Sequence, residues 1–242
     1  MSAPSPIVLW DVDGTLLRAA KAGTRSFVSA LRTVAGAEWP TAKLDFGGRT
    51  DPKIAELILD AAGCDLALAP RLLAEVQAEY ERREAEFAAD TWALTGVHEV
   101  IAALDDRGVV QGLVTGNLEP VARIKVRGAG LGAPLRFDVG GYGSDHIDRA
   151  ELVATAMCRA EAAGLDVDRQ RVWVIGDTRR DLACARDNGV RCALVATGTT
   201  PFETLAELGA DLTIRSLEAP EVAELIEAIA APAASTVATD VR

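Results

Sequence analysis

The sequence predicts an α/β fold, a doubly wound parallel sheet with helices on both faces, interrupted once by a helical insertion. Three observations carry this. Wholly apolar runs such as Ile7-Val8-Leu9-Trp10 and Val172-Trp173-Val174-Ile175 recur along the chain, and strands without apolar–polar alternation are those buried on both faces. Segments of helical periodicity separate these runs, as the crossovers of a parallel sheet require. Between about Leu17 and Trp92 the alternation stops and only helical patterns are found.

The elements follow in order. Ile7 to Trp10 makes the first strand, ended by Asp11-Val12-Asp13-Gly14-Thr15, where Gly14 permits a sharp turn. Phe27, Leu31 and Val34 then recur at helical spacing, with Gly36 as the stop. Gly47-Gly48-Arg49-Thr50-Asp51-Pro52 reads as a loop running into a helix. Asp51 is its N-cap, Pro52 lies in its first turn, and Ile54, Leu57 and Ile58 form its apolar stripe. A further helix is expected from about Pro70 to Phe87, with Leu72, Leu73, Val76 and Tyr80 inward and a solvated face of Glu and Arg. Alternation then resumes. A helix through Val97, Val100, Ile101 and Leu104 ends near Gly108, and a strand runs from Val109 to Thr115. A helix from Pro120 to about Ala129, a weak strand from Phe137 to Gly141 and a helix from Arg149 to Ala163 follow. Last come the strand through Ile175, a helix from Asp181 to Asn188, and short strands at Cys192 to Val195 and Leu212 to Ile214. The expected division is a core of residues 1–16 and 93–230, a helical block of 17–92, and a disordered tail, 231–242, rich in Ala, Ser and Thr.

Composition narrows the function classes. The 242 residues are 49% hydrophobic, enough for one α/β core with an insertion. A net charge of −11 without any Lys/Arg-rich run argues against a nucleic-acid partner. No apolar run approaches a membrane span, and the N-terminus lacks the basic-then-apolar pattern of a signal peptide. Cys64, Cys158, Cys184 and Cys192 form no CxxC pair and read as buried thiols of a reducing compartment, so a soluble, cytoplasmic protein is expected. His98 and His146 are too few for a histidine-rich metal site.

The chemistry gathers at strand ends, where open parallel sheets bind ligands. Asp11 and Asp13 stand two residues apart at the end of the first strand, on one face if the strand continues. Two crowded carboxylates repel, and a divalent cation is the natural compensation. Thr115-Gly116-Asn117 ends a second strand, and Gly176-Asp177-Thr178-Arg179-Arg180-Asp181 ends a third. Alone, each has a plainer explanation: an acidic turn, a Thr-Gly-Asn turn, an N-capping aspartate. Together they place polar groups at three strand ends in a consistent order.

Asp11-Val12-Asp13-Gly14-Thr15 resembles the DxDGT signature of the haloacid dehalogenase superfamily, phosphatase branch. Gly176-Asp177 through Asp181 resembles its GDxxxD motif, and the helical block sits where capped members insert theirs. Gly47-Gly48-Arg49-Thr50-Asp51 is similar to the cap loop of phosphoglycolate phosphatase-like members. The resemblance covers nearly the whole chain and implies a Rossmann-like core. It implies a phosphatase for a small phosphorylated metabolite, with Asp11 as nucleophile and Asp13 as general acid/base. Mg²⁺ is implied on Asp11, the Asp13 backbone carbonyl and Asp177, with Asp181 in support or paired with a lysine. Thr115, Gly116, Asn117 and Lys125 are implied around the phosphoryl group, Lys125 offsetting charge between it and Asp11. Arg49 is a candidate for an anionic part of the substrate, equally readable as an exposed loop arginine. A β-phosphoglucomutase-like phosphotransferase shares every core residue. A dehalogenase has no use for an acid at Asp13. A phosphonoacetaldehyde hydrolase needs a cap lysine, for which Lys21, Lys43 and Lys53 lack a supporting motif. A non-catalytic binding protein fits poorly, because no core motif is broken.

Overall fold

The computed structural model describes residues 4–218 and 220–231. Among them, six strands form one parallel sheet in the order β5-β4-β1-β6-β7-β8. These are β1 (Ile7–Trp10), β4 (Val110–Thr115), β5 (Gly140–Tyr142), β6 (Val172–Gly176), β7 (Arg191–Val195) and β8 (Leu212–Ile214). The expected tail lies, from residue 232 on, outside the described residues.

The apolar runs fill both faces, as their lack of alternation requires. Val8 and Trp10 join a core under α5 (Val97–Asp105), α6 (Glu119–Gly128) and α10 (Glu221–Ala230). Ile7 and Leu9 join the opposite core under α7 (Arg149–Ala162) and α8 (Arg179–Asp187). The α/β, Rossmann-like class expected from the sequence is therefore the observed one. The chain crosses from the β4–β5 side to the β6–β8 side next to β1, and that switch point is where a doubly wound sheet opens a crevice.

Between β1 and α5 the chain makes α1 (Ala22–Ala35), α2 (Asp51–Ala61), α3 (Ala69–Arg82) and α4 (Glu84–Ala89). Gly36 ends α1 in the left-handed conformation, at φ 62°. The four helices share a hydrophobic centre that includes Phe27, Leu31, Ile58, Leu72, Val76 and Phe87. Leu118, Val121 and Ile124 of α6 belong to the same cluster, so the block is packed onto the sheet layer through that helix.

Several local expectations change. The segment from Leu17 to Trp92 is not wholly helical. Leu17–Ala19 (β2) and Thr91–Ala93 (β3) pair antiparallel, Arg18 opposite Trp92, and tie the block's two connections together. Three-residue strands carry no readable alternation; they exist because each supplies the other's partner. The helix expected from Pro70 to Phe87 breaks at Arg83 into α3 and α4. Thr50, not Asp51, caps α2, its side chain accepting from the Lys53 amide at 3.3 Å. The weak strand shifts to Gly140–Tyr142. Two short helices, α9 (Phe202–Ala206) and α10, occupy segments to which the sequence reading assigns nothing. All four cysteines are free thiols, but only Cys184 and Cys192 are buried; Cys158 is exposed. Among the described residues no helix is long and apolar enough to cross a membrane.

Candidate active site

Three strand ends meet because β1 lies between β4 and β6, with Trp10 in register with Leu113 on one side and Ile175 on the other. Asp11, Thr115 and Asp177 follow at the same edge and are all buried. Asp11, Asp177 and Asp181 each offer a carboxylate oxygen within 4.8 Å of the others.

Arg149, which sequence reasoning places only at a helix start, binds this cluster together. One guanidinium nitrogen donates to Asp11 Oδ1 at 2.7 Å and to Asp181 Oδ1 at 2.5 Å. Asp181 Oδ2 accepts from the Thr178 amide and hydroxyl at 3.0 and 2.6 Å, closing a capping box on α8. With both oxygens bonded, Asp181 orients its neighbours rather than reaching a ligand. Its cation partner is an arginine where a lysine was one expectation. A signal for Arg149 did exist. It is the first residue of α7, where the helix dipole disfavours a cation, so a buried arginine there answers to another charge.

The acids are strained electrostatically. Burial, then Asp181 and Asp177, hold the Asp11 carboxyl well above its usual range against the pull of Arg149. Burial and the Asp181 charge push Asp177 up to about 7. For Arg149 itself, burial works against the charge, but Asp181 and Asp11 outweigh it and raise its pKa. Several carboxylates around one buried guanidinium leave room for a further cation. The donors are hard oxygens, as Mg²⁺ or Ca²⁺ prefers. Space is kept for the cluster too: at Gly14, with φ +90°, a Cβ would lie 2.7 Å from Asp177 Oδ2, and one at Gly198 would overlap that oxygen.

Asp13 faces another way. Its carboxylate Oδ2 accepts from Lys125 Nζ at 2.7 Å and Asn117 Nδ2 at 2.6 Å. Lys125 also donates to Asn117 Oδ1 at 2.6 Å. The buried ammonium is drawn down by desolvation, but Asp13, Tyr80 and Asp51 outweigh that, and its pKa lies above the ordinary lysine value. The cation touching Asp11 is thus Arg149, and Lys125 touches Asp13, a division of labour absent from the sequence reading. Thr115 Oγ1 accepts from the Asn117 side chain at 2.7 Å; its own hydrogen has no protein acceptor among the described residues.

The loop ahead of α2 is pinned onto the site. The Asp51 amide donates to the Gly116 carbonyl at 2.7 Å, and the Leu118 amide donates to Asp51 Oδ2 at 2.8 Å. Arg180 grips the loop through the Gly47 carbonyl and Asp45 Oδ2. A Cβ at Gly48 would meet Thr178 Oγ1 at 2.5 Å, and one at Gly116 would overlap the Arg49 carbonyl. Gly48 and Gly116 thus serve close approach between the loop and the strand ends. Burial lifts Asp51 to about 6, against the lowering effects of Lys125 and the Leu118 amide. Arg49 is partly exposed, donates to the Asp45 carbonyl at 2.8 Å, and lines a cavity of about 550 Å³ whose floor holds Asp11, Asp13, Thr115 and Asp177. Of the three lysines in the block, Lys21 lines the cavity, Lys53 pairs with Glu56 at 2.8 Å, and Lys43 is exposed.

A sequence profile for haloacid dehalogenase-like hydrolases matches residues 8–186. The chain belongs to the haloacid dehalogenase-like hydrolases. Phosphoglycolate phosphatase, plasmid, of Cupriavidus necator is 30% identical over 222 residues, spanning 90% of this chain and 93% of that protein. An N-acetylmuramic acid 6-phosphate phosphatase of Pseudomonas aeruginosa is 26% identical over 209 residues, 86% of this chain and 89% of its own. Among solved structures, a hydrolase from Pseudomonas syringae superposes with a TM-score of 0.67 at 18% identity, covering 94% of this chain and all of that one. As a haloacid dehalogenase-like hydrolase, the protein is an enzyme, and the converging strand ends are where its chemistry is to be sought.

Proposed function

We propose that the protein is a Mg²⁺-dependent phosphatase of the phosphoglycolate phosphatase-like kind, hydrolysing a phosphate monoester of a small metabolite through an aspartyl-phosphate on Asp11. In this reading residues 17–92 form the cap over a core of residues 1–16 and 93–230. The observation that carries it is Asp11 itself: buried, paired with Arg149 through Oδ1 alone, and open to the cavity beside Asp13.

The steps follow from charge and reach. Asp11 attacks phosphorus with the oxygen that Arg149 leaves free, and the ester P–O bond breaks. Asp13, one oxygen held by Lys125 and Asn117, uses the other to give a proton to the departing alkoxide. It then takes a proton from the water that cleaves the acyl phosphate, regenerating Asp11. The Thr115 hydroxyl, the Gly116 and Asn117 region and Lys125 receive the equatorial phosphoryl oxygens. A carboxylate facing a phosphate dianion at about 3–4 Å in a poorly screened site meets strong repulsion. Asp11, Asp177 and the Asp13 carbonyl would hold Mg²⁺, which would supply the neutralising charge, and Arg149, itself held by Asp181, fixes Asp11 in place.

The test is phosphate release from a panel of phosphorylated metabolites with Mg²⁺ and in excess EDTA. Release should stop in EDTA. Asp11→Asn should abolish turnover with the fold intact, and hydroxylamine should trap an acyl phosphate only in the parent protein. Full phosphate release in EDTA refutes the metal dependence, and no release from any ester refutes the phosphatase.

A further inference from the structure

The core accounts for the phosphoryl group and leaves the alcohol unspecified. The cavity above it is much larger than a two-carbon acid needs, at about 550 Å³, and falls in the range that ring-bearing ligands occupy. Its far wall is aromatic. Phe27 comes from α1, Trp39 and Phe46 from the α1–α2 connection, and Trp92 from β3. Trp39 and Phe46 stand edge to face, 6.1 Å between centroids and 74° between planes, and both line the cavity. Trp92 is 49% exposed, one of the few large apolar side chains left so open among the described residues. Aromatic surface left in water beside a catalytic floor is surface that a planar or saturated ring can cover.

The charges on this wall define the rest of the ligand. Arg18, Lys21 and Arg49 are cations, and the one acid on the block's side of the cavity, Asp51, is buried against the Leu118 amide. Among the described residues the Lys21 side chain has no hydrogen-bond or ion-pair partner, although it lines the cavity mouth. Lys21 also holds φ at 54°, a left-handed conformation that glycine or asparagine adopts more readily. That fits a position kept for its side chain.

We propose that the substrate is a phosphate monoester of a ring-bearing alcohol of glycoside or nucleoside size, neutral or anionic beyond its phosphate, its ring stacked on Trp39, Phe46 and Trp92. This rests on the phosphatase reading and replaces a two-carbon leaving group with a cyclic one.

The experiment compares phosphate release by the intact protein with Mg²⁺ from acetyl phosphate, phosphoglycolate, hexose 6-phosphates and nucleoside 5′-monophosphates. At least one ring-bearing ester should exceed phosphoglycolate by about tenfold or more in kcat/KM, the advantage expected of one good stacking contact. In Trp39→Ala, and separately in Trp92→Ala, the ratio of kcat/KM for that ester to kcat/KM for acetyl phosphate should fall about tenfold, chiefly through KM. Trp92 is exposed, so its variant folds even if Trp39→Ala does not; Trp39→Phe should restore most of the ratio. Preference for phosphoglycolate, or an unchanged ratio in both alanine variants, overturns the ring-bearing substrate and leaves the phosphatase standing. No release from any ester overturns both.

Discussion

Arg149→Gln is the perturbation whose consequence can be worked furthest. The guanidinium is 8% exposed and lies 2.7 Å from Asp11 and 2.5 Å from Asp181, whose side chains are 6% and 0% exposed. Removing one partner of a buried pair leaves uncompensated charge and costs about 3–5 kcal/mol. For a chain of this size that corresponds to a fall in Tm of about 6–20 °C. The deficit has a sign in pH. Asp11 already has a folded-state pKa above its unfolded value, and loss of Arg149 raises it further. Stability tied to such a group is fully present below the unfolded pKa and is lost as pH rises through the folded one. The gap between variant and parent should therefore be widest in EDTA at pH 8 and narrow toward pH 5. Mg²⁺ should narrow it too, by supplying the missing cation. Arg149→Lys should fall between, since an ammonium keeps the charge but gives up the second nitrogen's bond to the Gly48 carbonyl. Thermal melts at two pH values, with EDTA or with Mg²⁺, read all of this. A variant that melts within about 2 °C of the parent in EDTA at pH 8 refutes the electrostatic account of the cluster.

Three further outcomes are expected. Asp51→Asn keeps an acceptor for the Leu118 amide and removes a carboxyl whose pKa of about 6 exceeds its unfolded value; it should stabilise the protein by about 1–3 kcal/mol at pH 8 and progressively less as pH falls from 6 toward 4, measured by urea unfolding. Gly116→Ala drives a methyl into the Arg49 carbonyl; overpacking of about 1–3 kcal/mol should lift the loop, seen as faster hydrogen exchange at the Asp51 amide. Lys125→Met removes the ammonium from Asp13 and Asn117 and should lower kcat by about 10²-fold or more with the fold retained by circular dichroism.

The sequence made the sheet and three of its strand ends readable because their signals are local: an apolar run, a turn, then polar groups. What stayed hidden depends on partners distant along the chain. Arg149 meets Asp11 across 138 positions and Asp181 across 32; a cation opening α7 says that it answers to some charge but not to which. Asp51 looked like a helix cap because capping is a local rule; it is instead buried against Leu118, 67 residues on, and Thr50 takes the cap. Lys125 was recognisable as a cation near the site, but which acid it would touch depended on side-chain directions that spacing does not give. β2 and β3 are too short to show a period and exist only as a pair.

That pair has a topological consequence. With Arg18 opposite Trp92, the whole helical block leaves and rejoins the chain at one place, its two connections about 5 Å apart as in any antiparallel ribbon. A two-residue hairpin turn could bridge the same ends, so the excursion is removable without rethreading a single strand of the sheet. Loop-closure entropy grows only slowly with length, and the site of insertion therefore tolerates blocks of very different size. What constrains exchange lies on the sheet side, where Leu118, Val121 and Ile124 of α6 are buried by the present occupant. A replacement block must bring its own apolar footprint to that helix, or those three positions must turn polar with it.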